Sequence, residues 1–321
     1  MQPPPSFPQS PVKASDPAFL DDLRALSPDL CITVAYGNFL PSKFLAIPRL
    51  GTLNIHPSLL PRWRGASPVP RTIEAGDPTC GVSVVYTELA MDAGPILAVH
   101  EEPMPMPSRP APDLLSHLMT VGTELLIAEL PAVLSGQKGV ADAVPQAATG
   151  REVTHAAKMS REEGRLRFDR DPAVTIYRRM MAFAGWPGTT ASFVVVPVEA
   201  DASEEGGGGG GSKSSVEELT DVKILAAEVM DDTTVGGVEH VPPVEWVDAE
   251  ETTDRLGLTG KWGVVRCEKD ALVIPCGGGE ARGGWLRVTE VQVPGKKPAG
   301  AGTVVNGLRG QDKRLIVKLR E

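Results

Sequence analysis

Asn54 and His56 stand one residue apart at the end of the apolar run LGTLNIH (50–56). If that run is a strand, its period of two points both side chains to one face. The space beyond a strand's carboxyl end is where open α/β sheets bind ligands. Further on, the segment M-D-A-G (91–94) puts Asp92 in a loop between two predicted strands. An amide, an imidazole and a carboxylate together suit acyl transfer to an amine. Asn54 can donate an N–H to the oxygen that gains negative charge, and losing such a donor typically costs about 10²–10³ in rate. His56 can donate to the same oxygen when charged, or shuttle a proton from the attacking amine, while Asp92 holds the imidazole and favours its protonated form. The sequence has no serine in a G-x-S-x-G turn and no metal-ligand spacing. Direct transfer between two bound partners is therefore expected, without a covalent intermediate or a metal hydroxide. Each residue alone has a plainer reading: a strand-end histidine is often structural, and Asp92-Ala93-Gly94 by itself is a turn.

The elements that must position these residues follow from periodicity and punctuation. Asp16-Pro17 before AFLDDLRAL predicts an N-cap, a proline at the first helical position, and a helix. LCITVAYG (30–37), LGTLNIH (50–56), CGVSVVYTE (80–88) and GPILAVHE (94–101) predict strands, with helices over 67–75 and 111–134. Strands alternating with helices predict an α/β domain with an at least partly parallel sheet. Residues 136–157 lack periodicity and predict a linker between a catalytic domain over 1–135 and a second domain over 158–321. There, after a helix over 172–184, short strands between Gly and Pro turns predict a small β-barrel or sandwich. Within it, 201–254 carries the run Gly206–Gly211 and predicts a low-complexity insert with no fold of its own.

The composition is that of a globular chain: 321 residues, 41% hydrophobic, 23% charged, net charge −9. No apolar run approaches the roughly 18 residues of a membrane helix, and no membrane partner is expected. Cys31, Cys80, Cys267 and Cys276 form no C-x-x-C pair, and read as reduced thiols of an intracellular protein rather than a disulfide or zinc framework. The mean charge hides an asymmetry. Residues 201–254 hold fifteen acids against two lysines, a balance of −13, whereas 255–321 hold thirteen Lys and Arg against six acids, a balance of +7. A basic end behind an acidic insert leaves a polyanionic partner open, because local charge decides such contacts.

NIHPSLLPRWRGASP (54–68) followed by MDAGPIL (91–97) strongly resembles the signature of the 10-formyltetrahydrofolate-dependent formyltransferases. The family's catalytic asparagine, histidine and aspartate match Asn54, His56 and Asp92. Ser58, Leu59, Leu60 and Pro61 match its loop beside the folate, and AYGNFLP (35–41) its segment near the pterin. RWRGASP (62–68), KMSREEGRLRF (158–168), AFAGWPGTTASF (182–193) and VQVPGKKPAGAGTVVNG (291–307) are similar to the branch whose acceptor is methionyl initiator tRNA. The resemblance covers roughly 12–200 and 255–310, leaving the acidic insert outside it. It implies a Rossmann-like α/β sheet domain followed by a small OB-like β-barrel, and formyl transfer from 10-formyltetrahydrofolate, without a metal, to methionyl-tRNA by a monomer. The residues expected at tRNA are Arg62, Arg64, Lys296 and Lys297.

The chain departs from the family at Pro70, where an amide is usual, and at Ala299 and Ala301. The family also has two or more βα units ahead of the position of Val12. An N-terminally truncated sheet is therefore expected, with an unpaired edge along 30–36. A catalytically defective paralogue, or a related formyltransferase or hydrolase with another acceptor, are the alternatives. Formylated initiator tRNA serves bacterial-type translation, so the expected setting is a bacterial cytoplasm. For a eukaryotic source, which the hexaglycine and acidic insert favour, it is a mitochondrion or plastid.

Overall fold

The computed structural model describes residues 11–104, 106, 109–197, 217–230, 246–248, 261–267, 270–277, 283–303 and 313–318. The chain forms two compact units, Met1–Met159 and Ser160–Glu321.

The first unit opens with helix α1 (Pro17–Leu26). Asp16 caps it as expected, its carboxylate accepting from the amides of Ala18 at 2.9 Å and Phe19 at 3.2 Å. Strands β1 (Cys31–Val34) and β2 (Thr52–His56) then pair in parallel, with the short helix α2 (Ser42–Leu45) between them. The two-residue strand β3 (Arg64–Gly65) and helix α3 (Pro68–Ala75) lead into β4 (Thr79–Tyr86) and β5 (Ile96–Pro103), which pair antiparallel. The sheet order is β1-β2-β4-β5, with β2 and β4 also antiparallel, so the sheet is mixed. Helix α4 (Ala111–Leu134) packs on β2, β4 and β5 and buries Leu114, Leu118 and Leu126. On the other side of β1, α1 and α2 join through Leu20, Leu23, Leu40 and Phe44, with Cys31 packed against them.

Two expectations change here. α4 is long and apolar enough to cross a membrane by length and composition, although no uninterrupted apolar run is; its apolar face packs on the sheet. The segment read as a linker belongs to the first unit: Val144 bridges Ile96, and β6 (His155–Ala156) pairs in parallel with β3. Its order comes from hydrogen bonds to distant loops, which leave no periodic signature.

The second unit holds α5 (Ala173–Phe183) and a nine-stranded sheet: β7 (Thr189–Pro197), β8 (Glu217–Met230), β9 (Trp246–Asp248), β10 (Lys261–Val264), β11 (Arg266–Cys267), β12 (Leu272–Pro275), β13 (Trp285–Gln292), β14 (Ala299–Gly300) and β15 (Lys313–Lys318). Its pairings are antiparallel. Phe168, Ile176, Ile274, Leu286 and Val288 form its core. All of β8 and all of β9 lie inside 201–254, so that segment contributes strands as well as the glycine run, which is outside the described residues.

Candidate active site

Asn54 and His56 end β2 on the face opposite Leu53 and Ile55, as the alternation requires. Register does the next step. Thr33 of β1 lies directly across from Asn54, and its hydroxyl sits 3.1 Å from Asn54 Oδ1, with a longer alternative of 3.3 Å to the carbonyl of Leu53. Donation to Oδ1 turns the amide nitrogen away from Thr33, and Nδ2 has no partner among the described residues. A free N–H pair at the end of a strand is what a developing oxyanion needs.

His56 is 5% exposed. Its Nδ1 lies 3.0 Å from Ser58 Oγ, and that hydroxyl donates to the carbonyl of Arg62 at 2.7 Å. A serine has one hydrogen to give, so Oγ accepts from His56 and the proton resides on Nδ1. Nε2 is buried and lacks a hydrogen-bond partner among the described residues. It stands 3.3 Å from Asp92 Oδ2, near enough for charge pairing and off the line of a good hydrogen bond.

Asp92 sits in the loop between β4 and β5 with φ at +49°, a left-handed conformation that aspartate tolerates better than most residues. The Gly65 amide donates to its Oδ2 at 2.8 Å. Two glycines make this geometry possible. A Cβ on Gly65, where φ is +125°, would meet the Ala156 carbonyl at 2.7 Å; one on Gly94 would strike the carbonyl of Tyr86. Burial by itself pushes the Asp92 carboxyl up. The adjacent His56, the Gly65 amide and the Arg64 charge outweigh it and hold the group below its ordinary range. Asp92 is therefore ionised throughout the neutral range.

The remaining expected residues are placed differently. Ser58, Leu59 and Leu60 are all buried, Leu60 within a small cluster with Val85 and Ile96. Pro61 is buried too. The loop they form turns its side chains inward and stands beside His56. Leu59 also lines a cleft of about 200 Å³ with Arg62, Trp63, Asp77 and Arg151. Arg62 pairs with Asp77 at 2.6 Å and lies over the Trp63 ring. Arg64 is held by Gln146 Oε1, at 3.0 Å through Nε and 2.6 Å through Nη2. Lys296 and Lys297 are exposed in the second unit, in the turn between β13 and β14. Sequence reasoning missed Thr33 and Gln146, whose roles depend on tertiary neighbours rather than on any local motif.

Among the described residues no group of three or more His, Cys, Asp or Glu side chains is arranged to hold a metal. Burial, reinforced by the neighbouring Glu102, raises the Cys80 thiol to about 11, which leaves it a poor nucleophile at neutral pH.

A family model described as formyl transferase matches residues 5–128, and one described as formyl transferase, C-terminal domain, matches 158–309. A methionyl-tRNA formyltransferase of Myxococcus xanthus is 39% identical over 178 residues, 56% of this chain and 55% of that protein. One from Ralstonia nicotianae is 31% identical over 291 residues, 91% of this chain and 72% of that protein. The chain spans little more than half the length of the first of these relatives. Among solved structures, HypX from Aquifex aeolicus in complex with tetrahydrofolic acid aligns over 90% of this chain and 41% of its own, with a TM-score of 0.54. At 18% identity that likeness is one of fold.

Proposed function

The chain belongs to the methionyl-tRNA formyltransferase family of formyl transferases, and from that premise we propose that it moves the formyl group of 10-formyltetrahydrofolate to the amino group of methionyl initiator tRNA. One observation carries the reading: Asn54, His56 and Asp92 converge with a free amide N–H pair and an unpartnered imidazole Nε2. That donor set fits a formyl oxygen and an amine proton.

The folate supplies a formyl group activated for transfer. Asn54 Nδ2 donates to the formyl oxygen as negative charge gathers there, and Thr33 keeps the amide pointing the right way. His56 Nε2 exchanges a proton with the reacting groups, while Ser58 holds the other ring proton on Nδ1. Asp92, kept ionised, stands 3.3 Å from Nε2 and orients the ring while the imidazole takes the proton. We assign the Ser58–Pro61 loop to the folate side because it adjoins His56. Arg62, Arg64, Lys296 and Lys297 are assigned to tRNA phosphates. Arg62 and Arg64 already have protein partners, so Lys296 and Lys297 are the freer pair. The reaction belongs to bacterial-type translation, in a bacterial cytoplasm or, for a nuclear-encoded eukaryotic chain, a mitochondrion or plastid.

The test is acceptor choice. The chain is incubated with 10-formyltetrahydrofolate and either charged methionyl-tRNA or glycinamide ribonucleotide. Formylation of the tRNA alone, reduced about 10²–10⁴-fold by His56→Ala, is the expected result. Formylation of the nucleotide, or of neither, overturns the reading.

A further inference from the structure

Gln146 lies in the segment between the sequence-predicted domains, yet it is 4% exposed and reaches the active site. Its Nε2 donates to the carbonyls of Asp92 and Gly94, both at 2.8 Å. Its Oε1 accepts from Arg64 Nε at 3.0 Å and Nη2 at 2.6 Å. Both amide hydrogens and both lone pairs are thereby used. The orientation is determined, because a flipped amide would set its NH₂ against a guanidinium and its oxygen against two carbonyls.

The two ends of this amide act on one group from two directions. The Nε2 end grips the backbone of the Asp92–Gly94 turn, where Asp92 holds a left-handed φ of +49°. The Oε1 end fixes Arg64, whose charge bears on Asp92 and whose neighbour Gly65 donates its amide to Asp92 Oδ2. The groups that face the Asp92 carboxylate are therefore His56, Arg64 and the Gly65 amide, and Gln146 places Arg64 and the turn itself. The surrounding chain supports the same arrangement. Thr154 accepts from the amides of Trp63 and Arg64, both at 2.9 Å, and Ala156 accepts from Ala66 at 2.9 Å.

We propose that Gln146 is a positioning residue for the reaction, setting Asp92 against His56 by clamping the Asp92 turn and Arg64 in one buried amide. This rests on the functional reading above. A carboxylate displaced by about 1 Å supports the imidazole poorly, and misplacements of that size cost up to about 10²-fold in rate.

The experiment compares Gln146→Ala and Gln146→Glu with the unaltered chain, measuring kcat, KM for both substrates, the pH–rate profile and amide hydrogen exchange. Gln146→Ala is expected to lower kcat about 10- to 10²-fold with each KM changed less than about threefold. Its acid limb moves to higher pH, because Arg64 and the Gly65 amide no longer hold the Asp92 carboxyl down. Gln146→Glu keeps the acceptor for Arg64 and loses both donors to the turn, so it does not recover the rate. Exchange rises in 62–66 and 88–96 while α4 keeps its protection. Unchanged kcat and acid limb in Gln146→Ala would overturn the inference. So would a uniform rise of exchange through the first unit with full activity per folded molecule, which marks an ordinary stabilising residue. If the unaltered chain fails to formylate methionyl-tRNA, the functional reading falls, and the exchange data still decide whether Gln146 holds the Asp92 turn.

Discussion

Ser58 Oγ stands 3.0 Å from His56 Nδ1 while giving its only hydrogen to the carbonyl of Arg62 at 2.7 Å. This commits the histidine to carrying a proton on Nδ1 and leaves Nε2 for chemistry. Ser58→Ala removes the acceptor, so the ring loses its tautomeric preference and part of its orientation. The expected result is a fall in kcat of about 10-fold, smaller than for His56→Ala. Steady-state kinetics check it; an unchanged kcat would show that Ser58 does not set the His56 tautomer.

Thr33 and Asn54 face each other across the parallel β1–β2 ladder, 3.1 Å apart through Oγ1 and Oδ1. Thr33→Val keeps the shape and removes the hydroxyl, freeing the Asn54 amide to turn. We expect kcat to drop about 10-fold, Thr33→Ser to restore most of it, and Asn54→Asp to be worse than Asn54→Ala, since a negative charge beside the oxyanion repels it. Equal rates for Asn54→Asp and Asn54→Ala would reduce Asn54 to a support for the loop.

Asp92 gives a pH dependence with a definite sign. Its folded carboxyl is held below the ordinary range, so the stability it contributes is present above the unfolded value of about 3.9 and is lost as pH falls through the lower folded value. Acid unfolding of Asp92→Asn should be less steep below about pH 4 than that of the unaltered chain. At neutral pH the same substitution should cut the rate, because the carboxylate that stands against Nε2 as the ring takes the proton loses its charge. Matching acid-unfolding curves for the two proteins would detach Asp92 from this linkage.

The residues legible in the sequence are those whose role follows from short range. Alternation puts Asn54 and His56 on one face, the Asp16-Pro17 cap starts a helix, and the 111–134 helix ends where its pattern does. Thr33 matters because strand register sets it opposite Asn54, and no local pattern encodes register between separate strands. Gln146 returns across more than fifty residues to Asp92 through side-chain hydrogen bonds, so its segment reads as structureless. β8 lies wholly within an acidic segment whose composition suggests no fold, and its partners β7 and β13 supply the ladder that orders it.

Lys296 and Lys297 are exposed in the β13–β14 turn, where a phosphate backbone can reach them. Affinity for tRNA should fall steeply with salt, and replacing both lysines with alanine should reduce the slope of log K against log salt by about 1–2. Binding of 10-formyltetrahydrofolate should respond far less. Filter binding across a salt series decides it: a slope untouched by the double substitution would make this a solvated face with no tRNA contact.

β1 is the edge of the first sheet, pairing only with β2 among the described residues. Ile32 and Val34 are 45% and 48% exposed. They share a face with their β2 partners Leu53 and Ile55, which are buried in the core. An edge that is both unpaired and apolar is a template for strand pairing between chains. At about 25 cal/mol per Å², covering 200–400 Å² of such surface is worth roughly 5–10 kcal/mol, comparable with the whole stability of a domain. The expectation of a monomer therefore meets a surface that favours association. We predict that the 321-residue chain, expressed alone, self-associates or precipitates through β1, and that Ile32→Lys lowers association by placing a charge at the edge while leaving the Asn54–His56–Asp92 set untouched. Light scattering after gel filtration, with and without the substitution, provides the measurement. A monodisperse monomer at tens of micromolar, indifferent to Ile32→Lys, would show that this edge is covered in solution and that the exposed face of β1 carries no association energy.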